Sequence, residues 1–239
     1  MIPEARTDDL AALDLLWEFP VVPETMTERL ATVRRLRDEC VPAEYTAIMD
    51  RAIDDLARTN MHAAALKTGD ACPAFMLPDR EGTWRSAYDL LRKGPLVVSF
   101  YRGSWCPFCN IELRGLQRAL PEIVSLGAQI VAISPELPDR QAETKTSGDL
   151  DFPILHDSGN KVGKWFGIVH ELPPDLLEIY RMMGHDLKDA NGPRGATELP
   201  LPATFVVTPG GWIRLAYVDE DYARRLSPDD IVAGLRKLA

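Results

Sequence analysis

The sequence predicts an α/β protein in which a mixed central sheet carries helices on both faces, behind a helical N-terminal extension. Three observations carry that reading. Strand-like and helix-like periods alternate from residue 96 to about residue 166. Two strand-like runs flanking Pro209-Gly210-Gly211 then form a closing hairpin. The first sixty-odd residues, by contrast, show helical periodicity and no strand signal.

Taken in order, "TDDLAALDLLWEF" sets Leu10, Leu13, Leu16 and Trp17 on one helical face, with Thr7 as N-cap. Met26, Leu30, Val33, Leu36 and Cys40 make a second stripe, and Tyr45, Ile48, Met49, Ala52, Ile53 and Leu56 a third. This two- or three-helix module either packs on the rest of the chain or makes a homodimer contact. The segment after Thr68 reads as a short strand, a turn at Asp79–Gly82, another extended piece and a brief helix. Strands follow at 96–101, 128–134 and 152–156, with helices at about 107–125, 137–148 and 160–166. Strands 203–208 and 212–218 and a final helix complete the pattern; Ser227 as N-cap, Pro228 at N1 and Asp230 at N3 mark its start. The connection 168–200 is long, with an amphipathic piece (Leu176, Leu177, Tyr180, Met183) and a loop over "KDANGPRGATELPLP". Long connections in compact domains often serve as lids or binding loops.

The formal charge of −9 argues against nucleic-acid binding, because phosphate backbones attract a surplus of Lys and Arg. The N-terminus lacks the basic and apolar regions of a secretory signal, and the apolar runs are too short to cross a bilayer. The expected compartment is the cytoplasm, where thiols stay reduced and a CxxC reads as metal-binding or redox-active.

That CxxC is Cys106-Pro107-Phe108-Cys109, directly behind Trp105. Cys106 falls where a strand has ended and a helix begins. Unpaired N–H groups and the positive end of the helix dipole favour thiolate there. Pro107 suits the first helical position, and Arg102 can add positive charge. Cys109, one turn on, shares the face and is placed to resolve an oxidised partner. A zinc site would need two further ligands, but there is no second CxxC, and His62, His156, His170 and His185 are scattered. Simple burial is the other competing reading of the pair. Cys40 reads as core packing and Cys72, before Pro73, as half-buried and inert. No metal or other cofactor is expected.

The ordered set "LKTGDACPAFMLPDREG", "FYRGSWCPFCNIELRGLQ", "AISPE", "LHDSGNKVGKWFGI", "LPATFVVTPGGWIR" and "YVDEDYARRLSPDDI" resembles the AhpC/TSA (peroxiredoxin-like) branch of the thioredoxin-fold superfamily. The resemblance spans residues 67–239 and leaves 1–66 as the helical extension. It implies a cofactor-free thiol peroxidase acting on hydrogen peroxide or organic hydroperoxides. Cys106 would become a sulfenic acid and condense with Cys109, and thioredoxin or a glutathione-linked dithiol would regenerate it. It also implies that Pro202, before the "ATF" strand, is cis and faces the dithiol.

The sequence departs from that pattern in an informative way. Peroxiredoxins keep a Pro seven residues and a Thr or Ser three residues before the peroxidatic cysteine; counted from Cys106, those positions are Ser99 and Gly103. They carry a peroxide-binding Arg where this chain has Pro202. Arg102, Ser104 and the helix-start N–H groups, beside Trp105 and Pro202, are therefore the candidate substrate-binding elements. Two other functions remain open at this point: a thioredoxin-like oxidoreductase acting on protein or glutathione disulfides, and a non-enzymatic redox-responsive interaction protein.

Overall fold

The computed structural model describes residues 25–238, so the expected helix over Leu10–Trp17 lies outside the described residues. Helix α1 (Met26–Cys40) opens on a reciprocal capping box that the sequence reading did not single out. The Thr25 hydroxyl accepts the Glu28 N–H at 3.2 Å, while the Glu28 carboxylate accepts the Thr25 N–H at 2.7 Å. Its buried face is Met26, Leu30, Val33 and Arg37. Cys40, expected in the core, is half-buried, because the chain leaves the helix at Val41 and turns at Pro42 into α2 (Ala43–Thr59). On α2, Tyr45 and Met49 are buried and the rest of the stripe is half-buried. Asn60, at φ 54°, ends α2 and leads into the short α3 (Met61–Ala64).

The expected alternation follows. A small hairpin, β1 (Met76–Pro78) with β2 (Trp84–Ser86), leads through α4 (Ala87–Leu91) to β3 (Leu96–Phe100). Then come α5 (Pro107–Ser125), β4 (Gln129–Ser134), α6 (Pro138–Gly148), β5 (Ile154–His156) and α7 (Lys161–Trp165). The long connection holds β6 (Val169–Glu171), α8 (Pro174–Met182), α9 (Leu187–Asn191) and β7 (Glu198–Pro200). The chain closes with β8 (Ala203–Val207), β9 (Ile213–Val218) and α10 (Pro228–Arg236). The stretch expected as a plain loop thus contains a helical turn, started by Asp186 accepting the Lys188 N–H at 2.8 Å, and a strand pairing β6 with β7. Elements of three to five residues are too short to show a period in sequence.

The central sheet has the order β5-β4-β3-β8-β9. Strands β3, β4 and β5 run parallel, and β8 and β9 are antiparallel to their neighbours, giving the mixed sheet expected. Every residue of β3 and β8 is buried, as befits central strands covered on both faces. Alternation along β3 splits the core in two. Val97 and Tyr101 face α5, α1 and α10, together with Cys106 and Cys109. Leu96, Val98 and Phe100 face the other layer, with Phe166, Phe205 and Ile213. A third cluster joins Val41, Tyr45 and Met49 to Leu172, Leu176, Ile179 and Tyr180. The buried residues of the second and third apolar stripes therefore pack on the chain itself. Among the described residues no helix is long and apolar enough to cross a membrane.

Candidate active site

The chain leaves β3 at Phe100, crosses residues 101–105 and re-enters regular structure at Pro107, the first residue of α5. Cys106 is the N-cap, with extended backbone angles of φ −97° and ψ 108°. The Cys109 N–H bonds back to the Cys106 carbonyl at 3.0 Å, which fixes both side chains on the same turn. Both thiols are free and buried.

Arg102 was expected to add charge, and it organises the site. Only 4% exposed, it lies between the rings of Trp105 (4.7 Å from the guanidinium carbon to the centroid) and Tyr222 (4.4 Å). Its Nη2 donates to the Tyr180 hydroxyl at 2.5 Å and its Nη1 lies 3.9 Å from Cys106 Sγ, while its backbone N–H points at Cys109 Sγ at 3.4 Å. A second guanidinium, which the sequence reading missed, comes from the segment before α10. Arg225 Nη2 donates to Cys109 Sγ at 3.4 Å, its Nη1 to the Tyr222 carbonyl at 2.6 Å and its Nε to Glu112 Oε2 at 2.8 Å. Glu112 also accepts from the Thr204 hydroxyl at 3.3 Å.

These contacts set the charge on the dithiol. Burial alone would push the Cys106 thiol up. The hydrogen bond from the Cys109 thiol, with the Arg102 and Arg225 guanidiniums and the Cys109 N–H, overrides burial and holds Cys106 well below the ordinary thiol range. Burial, and then Cys106 as hydrogen-bond and charge neighbour, keeps Cys109 protonated, well above that range. Of the two sulfurs, Cys106 is therefore the more acidic. Burial pushes Glu112 up to about 7 against the pull of Arg225. It also pushes the Tyr222 phenol up to about 12 and holds His170 down at about 4, so that neither carries charge near neutrality.

The remaining predicted residues fall into place around this core. Ser104 is not aimed at the sulfur: its hydroxyl donates to Glu136 Oε1 at 2.7 Å, and Asn110 Nδ2 holds its carbonyl at 2.7 Å. A Cβ at Gly103 would collide with the Trp105 indole and crowd Glu136, so only glycine fits this loop. Ser99 is fully buried within β3, and its hydroxyl has no hydrogen-bond partner. Trp105 packs on Tyr180 with centroids 5.2 Å apart and makes one wall around Arg102.

Pro202 requires a correction. No peptide bond among the described residues is cis, so the Leu201–Pro202 bond is trans. The trans form is intrinsically favoured by about 0.5–1 kcal/mol. The Leu201 N–H is tied to the Ile168 carbonyl at 2.7 Å, so an extended trans segment feeds directly into β8. Pro202 still lines a cleft of about 190 Å³ that also borders Arg102, His170, Tyr180 and Tyr222.

Arg225 lay inside a quoted motif, "YVDEDYARRLSPDDI", but nothing in its spacing tied it to a cysteine more than a hundred residues away. Tyr180 belonged to the amphipathic piece of the long connection, and that length was its one signal. Glu112 follows Cys109 by three residues, one helical turn, and that spacing could have flagged it.

The AhpC/TSA family model matches residues 68–216. A Mycobacterium tuberculosis protein carrying a provisional peroxiredoxin name is 33% identical over 116 residues, 48% of this chain and 75% of the relative. Peroxiredoxin Bcp of Escherichia coli is 30% identical over 103 residues, 43% of this chain and 65% of Bcp. Among solved structures, peroxidoxin BcpB of Mycobacterium tuberculosis superposes with a TM-score of 0.58 at 26% identity, covering 73% of this chain and 99% of BcpB. Peroxiredoxin Q of Xanthomonas campestris gives 0.54 at 19% identity, over 72% and 97%, a likeness of fold. With its central sheet, its dithiol at the start of α5 and this match over most of its length, the chain belongs to the AhpC/TSA family and has the thioredoxin-like fold of peroxiredoxins.

Proposed function

We propose that the chain is a peroxiredoxin-type thiol peroxidase in which Cys106 attacks the peroxide and Cys109 resolves it. The observation that carries the assignment is the setting of the Cys106 sulfur, on a helix N-cap with Arg102 Nη1 at 3.9 Å. The Cys106 thiolate attacks the terminal oxygen of R–O–O–H. An S–O bond forms, the O–O bond breaks, and the released alkoxide takes a proton from solvent to leave as ROH. The developing negative charge faces Arg102 and the Tyr180 hydroxyl that Arg102 orients, two donors available where Pro202 supplies none. The Cys109 thiol then condenses with the Cys106 sulfenic acid, releasing water and closing a disulfide. An external dithiol of thioredoxin type, in a reducing cytoplasm, returns both sulfurs to thiols. Residues 67–239 form the redox domain, and the helices of 1–66 are its extension.

A second reading exchanges the two sulfurs, and one observation favours it. Cys109 Sγ receives two N–H donors, one from the Arg102 backbone and the other from the Arg225 guanidinium. Peroxide consumption in the presence of excess dithiol tests the function itself. Turnover that vanishes when both cysteines are replaced by Ser supports it, and wild-type protein reacting no faster than a free thiol overturns it.

A further inference from the structure

We infer that Arg34 and His62 of the helical extension are positioning residues for the dithiol site, acting through the segment 219–225 that joins β9 to α10. The inference rests on the proposed reading of the dithiol as reactive, and deepens it. Residues 219–225 hold no regular element, and the Arg224 N–H bonds within the segment, to the Asp221 carbonyl at 2.9 Å. Side-chain contacts on either side therefore set where the segment lies. On the inner side, the Tyr222 ring centroid lies 4.4 Å from the Arg102 guanidinium carbon, and Arg225 Nη2 donates to Cys109 Sγ at 3.4 Å. On the outer side, Arg34 Nη2 donates to both oxygens of Asp221, at 2.7 and 2.5 Å. The acid before it, Glu220, accepts the His62 N–H at 2.8 Å, and the His62 Nδ1 lies equally close.

The outer contacts are built into the packing of the extension. Arg34 follows Leu30 by four residues, which sets it beside the buried face of α1. That face is seated closely on α5, the helix that the dithiol begins: a Cβ at Gly115 would lie 3.3 Å from Met26 Sδ. The Asp221 and Glu220 side chains are only 13% and 9% exposed, so each carboxylate needs its partner. Arg224 also approaches Asp221, at 3.5 Å, but it belongs to the segment and cannot fix it from outside. Asp221 accepts the Ala223 N–H at 3.0 Å as well, so the turn presenting Tyr222 closes on the carboxylate that Arg34 holds. The Arg102 and Arg225 charges draw the Cys106 thiol down, and a segment that shifts weakens both. Arg34, His62 and residues 219–225 all lie outside the residues 68–216 that the family model matches, so family membership does not supply this support.

The test compares Arg34→Met, His62→Gln and their double variant with wild type and Arg34→Lys, all as the full chain. Arg35→Met, which loses an exposed pair with Glu39 on the same helix, is the control. The first readout is the pH titration of the Cys106 thiolate, taken as the ultraviolet absorbance that a Cys106→Ser counterpart of each protein lacks. The second is the rate with hydrogen peroxide at neutral pH, and urea midpoints follow the fold separately. The double variant is expected to raise the Cys106 midpoint by about one pH unit and to slow the peroxide reaction about tenfold, with the single variants in between. Arg34→Lys is expected to keep most of the wild-type behaviour and Arg35→Met all of it. If the double variant fails to fold, the single variants decide. Variants that titrate as wild type does would overturn the inference and leave the peroxidase standing, and so would an equal shift in Arg35→Met. A shifted midpoint in a chain whose wild type does not reduce peroxide would support the positioning role and overturn the peroxidase.

Discussion

The Arg102 guanidinium and the Cys106 sulfur lie 3.9 Å apart, with both side chains almost completely buried and the guanidinium held between two aromatic rings. The arginine cannot swing away without giving up both rings and its Tyr180 hydrogen bond. It is a fixed charge, and its consequences are measurable.

Arg102→Met keeps much of the apolar stem and removes the charge and the donors. The Cys106 thiol is expected to titrate nearer its ordinary value, and the rate with hydrogen peroxide to fall by about 10²–10³-fold. Ultraviolet thiolate absorbance against pH and stopped-flow rates check the two halves. In wild type the depressed Cys106 value keeps the thiolate present above that value, so the rate is flat through neutral pH. It drops only as acid protonates Cys106.

Glu112 and Arg225 form a nearly buried ion pair, 1% and 3% exposed for the arginine and glutamate respectively, touching Cys109. Arg225→Leu leaves the carboxylate buried and unpaired and should destabilise the fold by about 3–5 kcal/mol. The double variant Arg225→Leu/Glu112→Leu should recover most of that stability. Urea denaturation of both variants checks it; a double variant no more stable than the single would show that the pair holds the fold in some other way.

Glu136 has one oxygen bound to Ser104 and the other without a hydrogen-bond partner, and burial raises its carboxyl from the ordinary 4.5 to about 7. Between those values the folded chain holds a proton that the unfolded chain has released. Stability from this group is therefore full below about pH 4.5, declines as pH rises and is gone above about 7. Glu136→Gln removes the titration and should be more stable than wild type at pH 8, by on the order of 1–3 kcal/mol. Urea midpoints at pH 5 and pH 8 measure the difference; an unchanged gap between wild type and variant across that range would contradict it.

Much of this architecture was legible in the sequence where a period had room to repeat. The fifteen residues of α1, the nineteen of α5 and β3, apolar but for Ser99, announce themselves, and Pro107 and Ser227 mark helix starts at the right residues. Three-residue strands such as β6 and β7 were not, because a period of two needs more than three residues to show. In the site, neighbours within one helical turn of the dithiol were readable. Arg225 and Tyr180 were not, since only the folded chain brings them to the sulfurs. Pro202 shows the opposite failure: a feature carried over by resemblance gave way to the local hydrogen bond of Leu201.

The most direct test of the account is which sulfur becomes a sulfenic acid. Cys109→Ser and Cys106→Ser proteins are mixed with a slight excess of hydrogen peroxide and a sulfenic-acid-specific dione, and the labelled peptide is identified by mass spectrometry. The account predicts rapid, stoichiometric label on Cys106 in Cys109→Ser and none above background in Cys106→Ser. Rapid label on Cys109 in Cys106→Ser, with Cys106 unlabelled in the other variant, would contradict it and exchange the roles of the two sulfurs.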